Sequence, residues 1–457
     1  MRFVGSSRLF LVISLFTCGA LSGCECSDGD TEDGVGGEGG ETAACEEGGT
    51  GTLEIVVSGL PAGVSADVKV AGPGGERAAT GSETIGDAAT GEYDVTAAIV
   101  SSPDPIVRTA YEPTVDTEKL CLADGSSERV TVTYAPIPSS NKLWTTNGSG
   151  GNGAVLGFAS AVLGATGDPA ASVAATGGAG KDVAFDKDGN MWAMGATLGD
   201  PTLLRYPAAS LGTSGPKEAD IEILVTGSGC IPASAGMAFD PQGNLWVTSP
   251  CDQAVYRLAA ADIASSGERT PSVTIGGLDS PRGIAFDHDG AMWVADPARL
   301  YVARYDAARL GASSSDAPDR TVTSETTTMG AFFGPAWIAF DENGDLWAND
   351  FGANAIFRIP ASDLGGAGDA TISPPVSITI GVTGLLESMA FDESGGLWLA
   401  GSQGKLIRLA QDQLDESSGG GDPTTPATVI TSADIGYAQN FALYPAPAAL
   451  PLFHALP

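Results

Sequence analysis

One phrase occurs five times along the chain and constrains its fold more than any other feature. It consists of an apolar residue, Ala, Phe and Asp, two variable residues, Gly, two further residues and Trp. Two apolar runs around a polar turn with Gly at a fixed place are typical of a β-hairpin, and a period of about 50 residues is typical of solenoids and propellers. The copies run from VAFDKDGNMWAMG at 183–195 to MAFDESGGLWLAG at 389–401, and their Trp residues are Trp192, Trp246, Trp293, Trp347 and Trp398.

A second phrase with one Arg follows each hairpin, as in LLRYPAASL and LIRLAQDQL. It predicts a third strand that ends in a short helical turn, and a β-rich piece such as SVTIGG then supplies a fourth strand. Four strands per repeat predict a propeller blade. We expect the repeated Trp residues to pack between blades and the Arg residues to pair with acids or stack on aromatic rings. The Arg residues are Arg205, Arg257, Arg304, Arg358 and Arg408.

The two ends of the repeat region together complete a sixth blade. LWTTN, with Trp144, matches the second strand of a blade whose first strand is missing. QNFALYP at 439–445 matches a first strand without a hairpin, with Leu443 in place of Phe. Pairing of the two would leave no open sheet edge between the first and last blades. We therefore predict an all-β chain, in which a six-bladed β-propeller at 137–457 is preceded by a small β-sandwich domain.

The apolar period changes to two residues between 51 and 136. Runs such as TLEIVVSGL, ADVKVAGP and ERVTVTYAP are separated by Gly and Pro turns, which predicts a small β-sandwich. These runs resemble the immunoglobulin-like or prealbumin-like modules of bacterial surface proteins. The resemblance implies a fold and a spacer role, and a ligand-binding module is the alternative.

The first 23 residues have the features of a targeting segment, with a basic start and an apolar run too short to span a bilayer. LSGC at 21–24 resembles the lipobox of bacterial lipoproteins, which implies cleavage before Cys24 and lipid on that residue. An ordinary secretory signal is the alternative. Residues 24–50 are rich in Gly and acids, and we predict a disordered tether. We expect a lipid-anchored protein of the bacterial cell envelope, periplasmic or surface-exposed. By resemblance to enteric sorting signals, Glu25 in place of Asp implies that an inner-membrane retention signal is absent, which favours the outer membrane.

The cysteines fit an exported protein, since an oxidising compartment favours disulfides. Cys230 precedes the first strand of a hairpin and Cys251 follows its second strand, so we predict that these two residues are bonded. Cys45 with Cys121 is a second predicted pair.

A formal net charge of −34 argues against a nucleic-acid partner, because phosphate would be repelled. The partners we expect are an envelope protein, a glycan or a small-molecule ligand. Contact with a membrane is expected through the lipid anchor alone.

The blades resemble NHL-type propellers and, more loosely, the streptogramin lyase and gluconolactonase families. For streptogramin lyases the resemblance implies a His-centred site with a metal. The chain has only His288, in a hairpin turn, and His454, near its end, so no catalytic His is carried over. No serine-hydrolase elbow and no HExxH motif occur. We predict binding or scaffolding without catalysis; the alternatives are a metal-assisted hydrolase or lyase of a small molecule and a sensor that signals to a partner protein.

Propeller geometry predicts a ligand site at the channel mouth, where the strands that line the central channel begin. Arg282 and Trp337 are expected on one side of this mouth, opposite a polar arc, which would suit a polar ligand with one flat apolar face. No organic cofactor is predicted, and a divalent cation is the alternative, since carboxylate and amide oxygens would suit it. The predicted lining residues are Lys181, Asp182, Arg282, Trp337, Glu387, Ser388, Gln439 and Asn440.

Overall fold

The computed structural model describes a large part of the chain from Cys45 onwards. The described residues are 45, 48–102, 109–140, 142–147, 153–177, 179–195, 202–227, 235–324, 334–350, 354–381, 386–401, 403–415, 417 and 423–445. The predicted signal segment at 1–23, Cys24, Cys230 and His454 lie outside these residues, as does most of the predicted tether. Within the described ranges, no helix is long and apolar enough to cross a membrane.

Residues 50–136 form two sheets whose inner faces share one hydrophobic cluster. The strands are β1 (Thr50–Ser58), β2 (Val68–Gly72), β3 (Gly75–Ala79), β4 (Glu83–Ala89), β5 (Gly91–Ala97), β6 (Val100–Ser101), β7 (Ala110–Val115), β8 (Lys119–Leu122) and β9 (Ser127–Pro136). Their orders are β4-β1-β9-β7-β6 and β3-β2-β5-β8. Alternate apolar residues point inward, so that Leu53 and Val130 of one sheet and Val70 and Val95 of the other belong to the same cluster.

The chain enters this pair of sheets at the end where β1 and β9 begin. The two strands are parallel, with Thr52 paired to Ser127 and Ser58 to Thr133. β1 already begins at Thr50, inside the predicted tether, because its first amide is held by the side chain of Asp124 at 3.0 Å. The chain therefore enters and leaves this pair of sheets, which we call the module, at opposite ends that are separated by the length of β9.

A disulfide joins Cys45 to Cys121 at this entry end, with a Cα–Cα distance of 5.7 Å. It is the second of the two predicted pairs. Cys251 is also disulfide-bonded, whereas its predicted partner Cys230 lies outside the described residues.

Replacing both Cys45 and Cys121 by Ser is expected to lower the free energy of unfolding by about 3 kcal/mol, because the bond closes a long loop and restricts the unfolded chain. Urea unfolding of the double variant and the wild type measures this difference. A loss well below about 1 kcal/mol would show that the bond does not hold the entry end in place.

Six further sheets in the described chain are the blades of a propeller, each an antiparallel meander. Blade 1 contains β10 (Lys142–Asn147), β11 (Ala154–Ala159) and β12 (Val173–Thr176). Blade 2 contains β13 (Ala179–Phe185), β14 (Met191–Gly195), β15 (Thr202–Tyr206) and β17 (Ile221–Val225), and β16 (Gly215–Pro216) precedes the last of these. Blade 3 contains β18 (Met237–Phe239), β19 (Leu245–Ser249), β20 (Ala254–Leu258) and β22 (Val273–Ile275), with β21 (Gly267–Arg269) before its last strand.

The other three blades repeat this plan. Blade 4 contains β23 (Ile284–Phe286), β24 (Met292–Asp296), β25 (Tyr301–Tyr305) and β26 (Arg320–Ser324). Blade 5 contains β27 (Pro335–Phe340), β28 (Leu346–Asp350), β29 (Ala355–Ile359) and β31 (Val376–Thr379), with β30 (Gly368–Ile372) before its last strand. Blade 6 contains β32 (Leu386–Phe391), β33 (Leu397–Gly401), β34 (Lys405–Leu409) and β35 (Thr428–Thr431), and β36 (Ala438–Tyr444) follows. The predicted helical turns after the third strands are α1 (Ser160–Leu163), α2 (Ala361–Leu364) and the 3-10 turns Ala208–Gly212, Asp262–Ala264, Ala307–Arg309 and Gln411–Gln413.

The repeated Asp organises each hairpin in blades 2 to 6. In blade 2, one oxygen of Asp186 accepts hydrogen bonds from the amides of Asp188 and Asn190, and Gly189 has the positive φ that the turn requires. The other oxygen accepts the indole N–H of Trp192 at 3.1 Å. The same bond recurs at 2.8 Å for Trp246 and Asp240, 2.8 Å for Trp293 and Asp287, 2.9 Å for Trp347 and Asp341 and 2.9 Å for Trp398 and Asp392.

The repeated Trp and Arg residues are structural, as predicted. The ring of Trp192 packs on Phe239 of the next blade at 6.3 Å between centroids, and the equivalent pairs up to Trp347 and Phe391 lie at 6.1–6.2 Å. Arg257 stacks on the ring of Trp246 at 5.8 Å, whereas Arg408 forms an ion pair with Asp392 at 2.6 Å. Each blade therefore buries an aromatic ring against its neighbour.

The ring of blades is closed twice. Strand β36 pairs antiparallel with β10, with Lys142 opposite Tyr444, and supplies the inner strand of blade 1. Trp398 of blade 6 then shares a cluster with Leu443, which stands where other blades have Phe. The second closure is at the rim, where a bridge joins Gly167 of blade 1 to Ile430 of blade 6.

The rim bridge belongs to a series of parallel pairings between neighbouring blades, called the belt here, which the sequence did not predict. The outer strands β12, β17 and β26 each pair in parallel with a segment of the following blade, namely β16, β21 and β30. Single bridges from Ser314 to Ile275 and from Thr424 to Ile380 play the same part for blades 3 and 5. The outer edge of each blade is thus partly covered by its neighbour, which protects edges that would otherwise be free to pair with another chain.

Candidate functional site at the channel mouth

The predicted mouth residues lie at or near the start of the first strand of five blades. Lys181 and Asp182 belong to β13, Arg282 precedes β23 and Trp337 lies in β27. Glu387 and Ser388 belong to β32, and Gln439 and Asn440 to β36. Among those whose side chains are described, Arg282 is half-buried and the others are buried, with 9% exposure for Glu387 and 8% for Trp337.

The charged centre of the mouth is formed by Arg282 and Glu387. Burial raises the pKa of the Glu387 carboxyl, while a hydrogen bond from the Tyr437 hydroxyl at 2.6 Å and the charge of Arg282 act in the opposite direction. Burial lowers the pKa of the Arg282 guanidinium, and the charge of Glu387 counteracts this. The two side chains are predicted on opposite sides of the mouth, and the charge of each acts on the pKa of the other.

Tyr437 is a mouth residue that the sequence reasoning missed. Its hydroxyl donates to Glu387, and burial is the main cause that raises its pKa, followed by that hydrogen bond. It lies two residues before Gln439, just before the closing strand β36. The repeat predicts only Gln439 and Asn440 as mouth residues in this blade. Its position before the closing strand was the available signal.

Asp182 connects two blades. One of its oxygens accepts the amide of Val183 at 2.8 Å, and the other accepts the amide of Met237 in blade 3 at 2.6 Å. Burial raises the pKa of this carboxyl to about 7, although both hydrogen bonds favour the charged form. Both oxygens accept backbone amides, so the Asp182 side chain links blades 2 and 3, and its predicted ligand role stays a prediction.

The free energy of unfolding is expected to fall as pH rises from about 4 to 7 through the titration of Asp182. A carboxyl with a raised pKa in the folded state binds more protons folded than unfolded in this window, so its contribution declines by up to about 1.4 kcal/mol per pH unit. Denaturant unfolding at several pH values should show a shallower decline for Asp182→Asn than for the wild type. Equal slopes would contradict the buried titration.

Trp337 lies in a niche formed by two glycines. A Cβ atom at Gly236 would lie 3.3 Å from Cζ3 of Trp337 and 2.6 Å from the carbonyl oxygen of Arg282. A Cβ atom at Gly283 would lie 2.7 Å from the Cα atom of Trp337. The indole therefore reaches over blade 4 to blade 3, and its Nε1 is buried without a hydrogen-bond partner.

Polar residues two positions after the repeated Trp hold the backbone around Trp337 and Gly236 in place, and the sequence reasoning missed them. Asn349 accepts the amide of Trp337 at 2.7 Å and donates to the carbonyl of Leu386 in blade 6 at 2.7 Å. Thr248 accepts the amide of Gly236 and donates to the carbonyl of Arg282. The signal was present in the sequence, because blades 2, 4 and 6 have Met or Ala at this position, where Thr146, Thr248 and Asn349 stand in the others.

The cation alternative concerns the carboxylate oxygens at the mouth. No group of three or more His, Cys, Asp or Glu side chains among the described residues is placed to share an ion. Both oxygens of Asp182 accept backbone amides, and one oxygen of Glu387 accepts the Tyr437 hydroxyl. The cation alternative stays a prediction.

Three solved structures are distantly similar to the chain. No protein-family model and no curated protein matches the chain. A solved structure of a catalytically inactive variant of virginiamycin B lyase from Staphylococcus aureus with quinupristin is 14% identical, with a TM-score of 0.35, and the match covers 51% of this chain and 67% of that one. The selenomethionine-substituted virginiamycin B lyase from the same organism is 15% identical, with the same coverage and TM-score.

A streptogramin B lyase structure is 12% identical, with a TM-score of 0.37, and the match covers 66% of this chain and 86% of that one. These values are too low for the similarities to indicate an activity. The fold of this chain, an all-β propeller, follows from its own sheet topology.

Proposed function

We propose that the chain is a cell-envelope lipoprotein whose propeller binds a small polar ligand at the channel mouth and does not catalyse a reaction. The observation that carries this proposal is a set of polar groups at the starts of inner strands, in which Glu387 and Trp337 are buried, Arg282 is half-buried and the indole N–H of Trp337 has no hydrogen-bond partner. Burial raises the pKa of Glu387 and lowers that of Arg282, so keeping these side chains charged costs free energy. Groups kept in this way are typical of functional sites.

The chemistry of these groups narrows the ligand class. A simple anion would be repelled by Glu387 and a simple cation by Arg282. A neutral or zwitterionic molecule would meet an acceptor, a charged donor and the indole donor together. Because the indole is mostly apolar, the same molecule would present an apolar part to Trp337.

Thermal unfolding in the presence of free amino acids, dipeptides and neutral monosaccharides tests this proposal. At least one compound should raise the Tm of the wild type, since a ligand at 100 times its Kd stabilises the folded state by about 2.7 kcal/mol. The shift should be lost in Arg282→Gln and Glu387→Gln. It should persist in the matched control Arg257→Gln, whose Arg stacks on Trp246 within its blade. Equal shifts in all four proteins, or none in the wild type, would contradict binding at the mouth.

The lipid anchor is a separate part of the proposal, and LSGC at 21–24 supports it. Cells that express the wild type should incorporate labelled palmitate into the chain, and Cys24→Ala should abolish the label. Equal incorporation into the variant would contradict an anchor at Cys24.

A further inference from the structure

Blade 1 has no hairpin at the position where the other five blades have one. Its inner strand β36 and its second strand β10 come from opposite ends of the propeller sequence, so no turn joins them. The register of β36 with β10 matches that of β13 with β14, which places Tyr444 where blade 2 has Asp186. The Tyr444 hydroxyl donates to the carbonyl of Lys187 in the blade 2 hairpin at 2.7 Å. Blade 1 therefore lacks both the turn and the carboxylate that accepts the indole N–H in the other blades.

The connection, residues 137–140 between the module and β10, takes the place of the missing turn. The indole N–H of Trp144 donates to the carbonyl of Ser139 at 3.2 Å, whereas the other five repeated Trp residues donate to an Asp. The Ser139 hydroxyl donates to the carbonyl of Gly189 in the blade 2 hairpin at 2.8 Å. The connection therefore satisfies the repeated Trp of blade 1 and attaches this end of the blade to blade 2.

The module holds the connection in place through buried hydrogen bonds. The amide of Ile137 donates to the carbonyl of Ala110, the first residue of β7, at 2.8 Å. The amide of Ala110 donates to the Ser140 hydroxyl at 2.8 Å, and this hydroxyl donates to the carbonyl of Ile137 at 2.7 Å. Ala110, Ser139 and Ser140 are fully buried. Separating the connection from β7 would leave buried polar groups without partners, which is costly.

Apolar packing joins the module to the end of the closing strand. Ile99 and Ala110 of the module belong to the same cluster as Phe185 of blade 2 and Tyr444 of β36. The rings of Phe185 and Tyr444 lie 5.3 Å apart between centroids, and Tyr444 is fully buried. A strand end that nothing ties down frays first. In the other blades the hairpin holds this end of the inner strand, whereas in blade 1 the module and the connection cover it.

We propose that the module clamps the closure of the propeller ring, so that β36 remains paired with β10 only while the module is folded against blade 1. Neither a spacer nor a ligand-binding module, the two roles predicted from the sequence, needs to supply groups to a propeller blade. The clamp role is independent of a ligand at the mouth and of a lipid anchor. It implies that the module and the propeller unfold as one cooperative unit.

Destabilising the core of the module in the full chain tests the clamp. Leu53 is fully buried in a cluster whose described members all belong to the module, so Leu53→Ala leaves a cavity in the module alone. All seven Trp residues lie between 144 and 398, so their fluorescence reports unfolding of the propeller. We expect Leu53→Ala to lower the urea midpoint of this signal by about 0.5–1 M. The control Thr96→Ala, at an exposed position of the module, should leave the midpoint unchanged. An unchanged midpoint in Leu53→Ala would overturn the proposal.

A matched pair of glycine variants tests the junction itself. Gly189 and Gly290 occupy equivalent positions in the hairpins of blades 2 and 4, and both have a φ of +77°. A Cβ atom at Gly189 would lie 2.8 Å from side-chain atoms of Ile137 and Ser139 in the connection. At Gly290 it would meet the Cβ atom of Ala307 at an ordinary 3.8 Å. Alanine therefore strains the backbone equally at both positions but displaces the connection only at Gly189.

Hydrogen exchange followed by mass spectrometry gives the readout for this pair. The amides of β7 in the module and of β36 in blade 1 should both exchange about tenfold faster in Gly189→Ala than in Gly290→Ala, because the first variant opens the junction and the closing strand together. Equal exchange in the two variants would overturn the proposal. Faster exchange in only one of the two strands would also overturn it, since the closure would then not depend on the module.

Discussion

Truncation of the chain before Gly436 is expected to prevent folding. Strand β36 is lost, and with it the inner strand of blade 1, the packing of Leu443 beside Trp398 and the hydrogen bond from Tyr444 to blade 2. Burial of Phe441, Leu443 and Tyr444 contributes about 1.5–3 kcal/mol each. Their sum approaches the total stability of a typical domain, about 5–15 kcal/mol. Circular dichroism and thermal unfolding of the purified variant measure the effect.

A chain truncated after Pro445 is the matched control, because it retains β36 and should unfold at the temperature of the wild type. In the chain truncated before Gly436, blades 1 and 6 are still joined by the belt, through the bridge between Gly167 and Ile430. We expect this bridge to be too small to compensate for a missing inner strand. A chain truncated before Gly436 that melts at the wild-type temperature would show that β36 does not close the ring.

Asp392→Ala is expected to destabilise the folded chain by about 3–5 kcal/mol, the range for breaking a buried ion pair on one side. Asp392 is 2% exposed and accepts the indole N–H of Trp398, two turn amides and the guanidinium of Arg408. The variant leaves a nearly buried positive charge and an indole donor without their partner. Urea unfolding compared with the wild type gives the difference.

Asp287→Ala in blade 4 measures the contribution of the turn to stability without that of an ion pair. Asp287 makes the equivalent turn and the bond to Trp293, but Arg304 in that blade donates to the carbonyls of Leu364 and Gly366. We expect a loss of about 1–3 kcal/mol for this variant, from the unsatisfied donors alone. Similar losses in the two variants would show that the pair of Asp392 and Arg408 adds nothing.

The repeat predicted the fold because its residues interact at fixed spacing within a blade. Asp186 and Trp192 are six residues apart and meet through one hydrogen bond, and the next blade supplies Phe239 to cover the ring. The same packing occurs at the closing strand, where Leu443 takes the place of Phe and packs with Trp398. Hydrophobic periodicity and turn chemistry are both encoded locally, so they can be recognised without a structure.

The belt and the arrangement of the mouth depend on contacts that no local pattern records. Strand β16 is two residues long and pairs with another blade, so it has no period to detect. The electrostatic interaction of Arg282 with Glu387 joins blades 4 and 6, which no local spacing links. The position of Asp182 predicts a ligand residue, whereas its hydrogen bond from Met237 also makes it a link between blades. These contacts between blades at the mouth and at the rim could therefore not be predicted from the sequence.

The central claim is that the mouth holds a small polar ligand through Arg282 and Glu387. Mass spectrometry under non-denaturing conditions tests it most directly, with the full chain purified from the cells that make it. The account predicts an adduct of one defined small mass on the wild type and on Arg257→Gln, which is absent from Arg282→Gln and Glu387→Gln. A wild-type spectrum without an adduct, or an adduct that persists in both mouth variants, would contradict it.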